Sequence, residues 1–413
     1  MSSRNRTERV RRTIISALGA GAVLGGMSCA SENILPTDPG TSDTESLEAR
    51  ARAGLRLVSI GGGLASTCGV TRRGETYCWG SDFFGEVGNG LPRADTDIPA
   101  LVAGEQTFTQ ISVGSHHSCG LTKAGQAYCW GLNGEGAVGN GTTDDLIVAP
   151  SPVAGGLTFA QISAGGSHTC GLIVGGQAYC WGWDVSGQLG NGAPLISVSS
   201  PSLVAGGLTF KQISSGLIHT CGVTTSGAAY CWGSNTFGEA GNGSFAAGTN
   251  VPSRVAGGLT FTQVSAGSAH TCGLTAGGQA YCWGLDNGQL GNGPPLSGSN
   301  VPSLVAGRHI WTEVTTGSNH SCGVTTHGEA YCWGIDNFGQ LGNGASSADV
   351  NVPTLVVGGH KYSQVSAGLF HTCAVSRGRH QAYCWGSNIQ GEIGNGTRGG
   401  AFDAPTSVSV PGS

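Results

Sequence analysis

Between Phe261 and Gly293, apolar and polar positions alternate with the two-residue period of strands, not the longer period of a helix. F-T-Q-V-S-A-G is short and ends in glycine. H-T-C-G-L-T alternates, A-G-G turns, and Q-A-Y-C-W-G alternates again. A fourth short stretch, P-S-L-V-A-G, is led by Pro302. Proline cannot donate to a ladder, so this strand belongs at a sheet edge or begins at its proline. The unit fills almost the whole chain. Its first cysteines are Cys68, Cys119, Cys170, Cys221, Cys272, Cys322 and Cys373, spaced by 51, 51, 51, 51, 50 and 51 residues. The proline recurs at Pro99, Pro150, Pro201, Pro252, Pro353 and Pro405. Four strands in about fifty residues, repeated, describe propeller blades. The expected fold is all-β: one seven-bladed β-propeller of four-stranded antiparallel blades, closed in a ring. Its first strand is Leu57 to Gly63 and its last Pro405 to Val410. The pattern leaves open whether that last strand completes the first blade or the final one.

The hairpin register follows from the cysteines. With Cys272 opposite Cys282, Leu274 faces Ala280 and Thr275 faces Gln279. Three residues then remain for the loop, a length that suits a closing glycine. His270, Cys272, Leu274, Ala280 and Cys282 share one face; Thr271, Gly273, Tyr281 and Trp283 share the other. Tyr281 has Gly273 opposite it, so its ring is expected to lie over that glycine. Opposed cysteines on one hairpin form a disulfide where the pair is not hydrogen-bonded. The expected bridges join Cys68 to Cys78, Cys119 to Cys129, Cys170 to Cys180, Cys221 to Cys231, Cys272 to Cys282, Cys322 to Cys332 and Cys373 to Cys384. The last pair is one residue further apart, and the loop Arg377 to His380 absorbs the difference. Zinc sites show tighter knuckles, so no metal is expected. Each bridge closes a loop worth about 2.5–3 kcal/mol of chain entropy.

The pattern G-x-x-H-T-C-x-L-T-x-x-G-x-x-Y-C-W-G-x-x-x-x-G-Q-L-G-N-G closely resembles the regulator of chromosome condensation repeat. The resemblance covers roughly residues 55 to 410 and implies a seven-bladed propeller. The paired cysteines depart from the eukaryotic members and suit a bacterial exported one. His117, His168, His219, His270, His320 and His371 recur at one position, where the first copy has Ser66. Six equivalent copies around a ring argue for packing and hydrogen bonding rather than catalysis.

Composition changes the picture at the N-terminus. Arg4, Arg6, Arg9, Arg11 and Arg12 precede an uncharged, largely apolar stretch from Thr13 to Ser28. That is the form of a secretory signal, too short for a membrane span. Residues 1–30 are therefore expected to be an export signal, and 31–54 a flexible tether rich in Ser, Thr, Asp, Glu and Pro. Two processings fit. Ser28-Cys29-Ala30 ends a small-x-small cleavage site, or Cys29 is acylated. Fifteen cysteines less seven pairs leave Cys29 over, which favours lipidation. Without residues 1–30 the chain keeps 14 basic and 23 acidic residues, a net charge of −9. This disfavours nucleic acid and anionic lipid as partners. The only expected membrane link is the lipid anchor. The chain is expected in the cell envelope as a lipoprotein, or secreted.

Function is sought where the copies differ. Two loops per blade vary, one before the histidine and one after W-G, and both should emerge on one face. The candidate binding residues there are Phe83, Phe84, Trp183, Leu217, Ile218, Phe237, Phe338 and Phe370, with Asp and Asn neighbours. The competing expectation is that the aromatics fold back over the blade edges. No catalytic set, metal cluster or cofactor motif stands out, and the G-x-x-G-N-G runs lack the helix and lysine of a phosphate loop. The reading is a monomeric, non-enzymatic binding protein that grips a protein or glycan on this face. An alternative is inhibition of an extracellular enzyme, since the resemblance includes a secreted β-lactamase inhibitor. Less favoured are nucleotide exchange, which needs an inserted wedge that the cysteine spacing excludes, and an enzyme site assembled across blades.

Overall fold

The computed structural model describes residues 55–91, 93–345 and 349–410. The expected signal, Cys29 and the tether lie outside the described residues. Seven four-stranded antiparallel sheets follow one another, each built from four consecutive strands. In the fifth blade these are Phe261–Ala266, His270–Thr275, Ala280–Gly284 and Ser299–Leu304. Cys272 pairs with Cys282 and Leu274 with Ala280, the register read from the sequence. The Thr275 N–H donates to the Gln279 carbonyl at 3.0 Å, and Gly278 closes the loop at φ +74°. Counting back from that bonded pair, Cys272 and Cys282 form a non-hydrogen-bonded pair with Cα atoms 4.1 Å apart. All seven cysteine pairs are disulfides.

The structure chooses between the alternatives that the sequence left open for two strands, and it moves the bounds of the last from Pro405–Val410 to Ala401–Ser407. The proline strand is the outermost of its blade, but it does not begin at proline. Pro302 sits inside Ser299–Leu304, where the register shifts between Cys282 and Gly284, so its missing N–H falls where the ladder is already broken. The strand Ala401–Ser407, which contains Pro405, completes the last blade. Closure uses the bond found at every other junction. The Phe210 N–H donates to the Gly176 carbonyl at 2.8 Å, and the Leu57 N–H likewise to His380 of the last hairpin at 2.7 Å.

The apolar cores lie between blades. Leu172, Leu189 and the disulfide Cys170–Cys180 of blade 3 pack against Phe210, Ile213 and Trp232 of blade 4. Six more clusters of this kind complete the ring. The ring over Gly273 belongs to Phe261, not to Tyr281 as expected. A Cβ on Gly273 would come within 2.7 Å of that ring. Gly273 is paired on both sides, and the buried first-strand aromatic takes the space. Tyr281 stands edge-on to Phe261, 6.5 Å away and half-buried.

A polar triplet runs beside each core. Trp232 Nε1–H and Thr220 Oγ1–H both donate to the Gln188 carbonyl of the preceding blade, each at 2.9 Å. Thr220 has then spent its one proton, so it accepts from His168 Nε2–H at 2.9 Å, which fixes the imidazole tautomer. The arrangement recurs for His117, His219, His270, His320 and His371. Burial pushes all six imidazoles down, to about 3 for His168 and about 4 for His371. At these six positions the unfolded chain therefore takes up protons first on acidification. Their contribution to stability falls as pH drops below about 6.5, by up to about 1.4 kcal/mol per pH unit for each histidine.

On the first strands, side-chain amides clamp the neighbouring blade. Gln161 donates to the Ile213 carbonyl at 2.9 Å and accepts from its N–H at 3.0 Å. Gln110, Gln212 and Gln364 do the same. Blade 6 carries Glu313 there. It accepts from the Val365 N–H at 3.0 Å, and only a protonated carboxyl can also donate as glutamine does. Desolvation pushes its carboxyl up to about 7. Below the ordinary carboxyl value both states are protonated. Between about 4.5 and 7 only the folded state is, so this contribution is lost as pH rises through 7. Glu313→Gln should be more stable than the parent by about 2 kcal/mol at pH 8, less than the full linkage value because Glu313 keeps some solvent access. The difference should shrink towards pH 5 in paired urea titrations. A pH-independent difference would contradict the assignment.

Candidate binding face

The two loops of each blade emerge at one end of the propeller and are bonded to each other. The Trp183 N–H donates to the Ser167 carbonyl at 2.9 Å, and Ser234 N–H to Ile218 at 2.9 Å. The loop after W-G is held from inside. Asp184 Oδ1 accepts from the Leu189 N–H at 3.0 Å, and Asn235 Oδ1 from Ala240 at 2.9 Å. Both side chains are buried, as are Asp82, Asn133, Asp286, Asp336 and Asn388. These acids and amides shape the loop and do not form part of an exposed surface, which corrects the sequence reading of them. Desolvation pushes Asp82, Asp184 and Asp336 up to about 6, towards the neutral form that asparagine mimics in blades 2, 4 and 7.

The eight candidate residues all lie at this end, in separate groups. Phe83 is 54% exposed and meets Phe84 edge-on at 4.8 Å; Phe84 is half-buried against His116 of the next blade, also at 4.8 Å. Phe338 packs on Phe370 across blades 6 and 7 at 5.6 Å. Leu217 turns to the mouth of the central channel, a space of about 80 Å³ ringed by Gly63, Gly114, Gly165, Gly216, Gly267, Gly317 and Gly368. Those glycines are required by close approach: a Cβ on Gly165 would lie 2.5 Å from the Gly216 carbonyl oxygen. Ile218 and Trp183 are half-buried and Phe237 is 44% exposed. Eight of the nine tryptophans are buried, and Trp183 is the exception.

Further apolar positions on the same loops escaped the sequence reading. Leu195, Ile196, Phe245 and Leu296 are all exposed, Ile196 by 65%. They sit among Gly, Pro and Ser, outside the repeat pattern, and that departure is the signal that could have found them. A cleft of about 340 Å³ also opens between blades 2 and 3, lined by His116, Glu135, Asp145 and Ser167. It exists because blade 2 has Gly134 and Ala137 where blade 1 has Phe83 and Glu86. Among the described residues no group of three His, Cys, Asp or Glu is placed to hold a metal ion.

The model of the regulator of chromosome condensation (RCC1) repeat matches residues 73–121, 124–172, 175–223, 226–274, 277–324 and 327–375. The chain belongs to this repeat family. Each match runs from one hairpin tip to the second strand of the next blade, so a seventh would be divided between the two ends of the chain, where the ring closes. Among relatives in the family, the ultraviolet-B receptor UVR8 of Arabidopsis thaliana is 31% identical over 355 residues, 83% of this chain and 68% of that one. The E3 ubiquitin-protein ligase HERC2 of Homo sapiens is 29% identical over 360 residues, but this chain spans only 6% of its length. Prp20p from Saccharomyces cerevisiae, described with its binding properties to Gsp1p and histones, shares the fold at a TM-score of 0.73 and 22% identity, covering 86% of this chain and 88% of that one.

In blade 3, Gln188 Oε1 accepts from the Ser186 N–H at 2.9 Å, a bond that Ala137 cannot supply in blade 2. Ala137→Gln should recover it, narrow the cleft and raise stability by about 0.5–1 kcal/mol. Urea unfolding measures this; a loss of stability would show that the cleft does not accept the side chain.

Proposed function

We propose that the chain is an exported, non-catalytic binding protein that grips a protein or glycan through its loop face. One observation carries the reading. The paired cysteines and the tryptophan after each second cysteine, repeated in every copy, are buried between blades, whereas the loop positions differ from copy to copy and include exposed aromatics. A scaffold repeats; a recognition surface need not. Seven disulfides belong to an oxidising compartment. Among the described residues no helix is long and apolar enough to cross a membrane. Met1 to Ser28 is removed on export and Cys29 carries the lipid. Binding energy concentrates in a few aromatic anchors, with Trp183 the foremost and Phe83, Phe84, Leu217, Ile218, Phe237, Phe338 and Phe370 around it.

Capture from the producing cell's envelope, with the full chain as bait, identifies the partner. Trp183→Ala should then cost about 2 kcal/mol or more of binding while the thermal midpoint holds. Normal binding by Trp183→Ala, together with loss on changing Lys123, Arg72 or Arg73, would move the site to the opposite face. Cys29→Ala should release the chain from the membrane fraction. A native chain whose N-terminus is an unmodified Ser31 would show ordinary signal cleavage instead.

A further inference from the structure

The end opposite the aromatic loops is formed by the hairpin tips within each blade. Most tips carry small or neutral residues, such as Thr225-Ser226-Gly227. The two that meet at the ring closure do not. Blade 1 presents Arg72 and Arg73, and blade 7 presents Arg377 and Arg379. All four are exposed, and so is Arg56, which bridges to Gln381 as the chain enters the ring. An Arg72 guanidinium nitrogen lies 3.2 Å from His380 Nε2, so the two tips touch. The ion pairs of the described residues are His116–Glu86, Lys361–Glu329 and Arg398–Asp95; none involves these five arginines. Of the nearby acids, Glu329 is neutralised by a lysine, and Glu75, which keeps its charge, is one carboxylate against five arginines. Glu329 holds Lys361 at 2.9 Å, and Glu75 accepts from Thr71 at 3.4 Å.

Five guanidiniums without an ion pair among the described residues, Arg377 donating only to the Thr326 carbonyl at 3.2 Å, form a local field opposite in sign to the chain's net charge of −5. The seam is also where the chain enters. The Leu55 carbonyl accepts from the Ala382 N–H at 3.0 Å, so the preceding 54 residues join the propeller beside the patch. A chain anchored through Cys29 would be held to a membrane by this entry point.

We propose that the closure seam is a docking surface for an anionic phospholipid membrane, with Arg56, Arg72, Arg73, Arg377 and Arg379 meeting headgroup phosphates. Docked this way, the propeller turns its aromatic loops away from the bilayer. The inference rests on the proposed anchoring for its orientation, but the seam's own affinity is measurable without it. Guanidinium suits phosphate because its planar fork donates two parallel bonds. Each such cation near an anionic surface strengthens binding, and salt screens it.

The test uses the chain from Ser31 on, which lacks both Cys29 and the basic, apolar segment 1–30 that would itself bind anionic vesicles. Co-sedimentation compares vesicles of phosphatidylcholine with and without phosphatidylglycerol, at low and high salt. The seam variant Arg72→Gln, Arg73→Gln, Arg377→Gln and Arg379→Gln is set against Arg93→Gln, Lys211→Gln, Arg254→Gln and Arg308→Gln, which removes the same charge elsewhere. The parent should bind the anionic vesicles preferentially and lose binding in high salt. The seam variant should bind at least tenfold more weakly, and the control near the parent. Equal binding by the seam variant and the parent, equal loss in both variants, or no preference of the parent for anionic vesicles would overturn the proposal. None of these results depends on export, so failure here leaves the loop-face reading standing.

Discussion

At each junction one main-chain carbonyl accepts two hydrogen bonds from the next blade, from an indole and from a hydroxyl. The Ala137 carbonyl takes Trp181 at 3.0 Å and Thr169 at 2.8 Å, and the Glu392 carbonyl takes Trp79 and Thr67 across the closing seam. The rest of the fold follows from it. Because the hydroxyl donates to the carbonyl, the histidine must donate to the hydroxyl. Because the tryptophan reaches across, the apolar cores form between sheets. A propeller blade has no core of its own, so stability grows with neighbours, as in other repeat proteins. The disulfides line the same interfaces and brace each hairpin against the blade that follows.

Much of this was legible because the repeat supplies seven tests of each position. The period fixed the blades, and the opposition of Cys272 and Cys282 fixed the hairpin. Some errors were local. Pairing alone cannot say which of two aromatics fills the space above Gly273, since Phe261 approaches from the other side. Nor does the letter Asp reveal whether a carboxyl faces water or folds inward to a backbone N–H, as Asp184 does. The clamping role of Gln161 and the lone Glu313 were invisible because their partners lie in another blade. The apolar loop residues Ile196 and Phe245 fell outside the repeat and were passed over for that reason.

The two ends of the ring differ in chemistry. One carries aromatic and aliphatic side chains on loops whose frames are fixed by buried Asp and Asn. The other carries neutral tips interrupted by arginines where the chain closes. This division is possible because inter-blade contacts bear the stability and leave the loops free to vary. Rigid walls holding variable loops are a common way to build a binding surface.

The most direct test of that division is a comparison of urea midpoints. Thr220→Val keeps the shape of the side chain but leaves His168 Nε2–H without an acceptor and the Gln188 carbonyl with one bond in place of two. It should cost about 1–3 kcal/mol. A combined change of Phe83, Trp183, Phe237 and Phe370 to serine should stay within about 0.5 kcal/mol per site. A neutral Thr220→Val beside a loop variant that fails to fold would contradict the account.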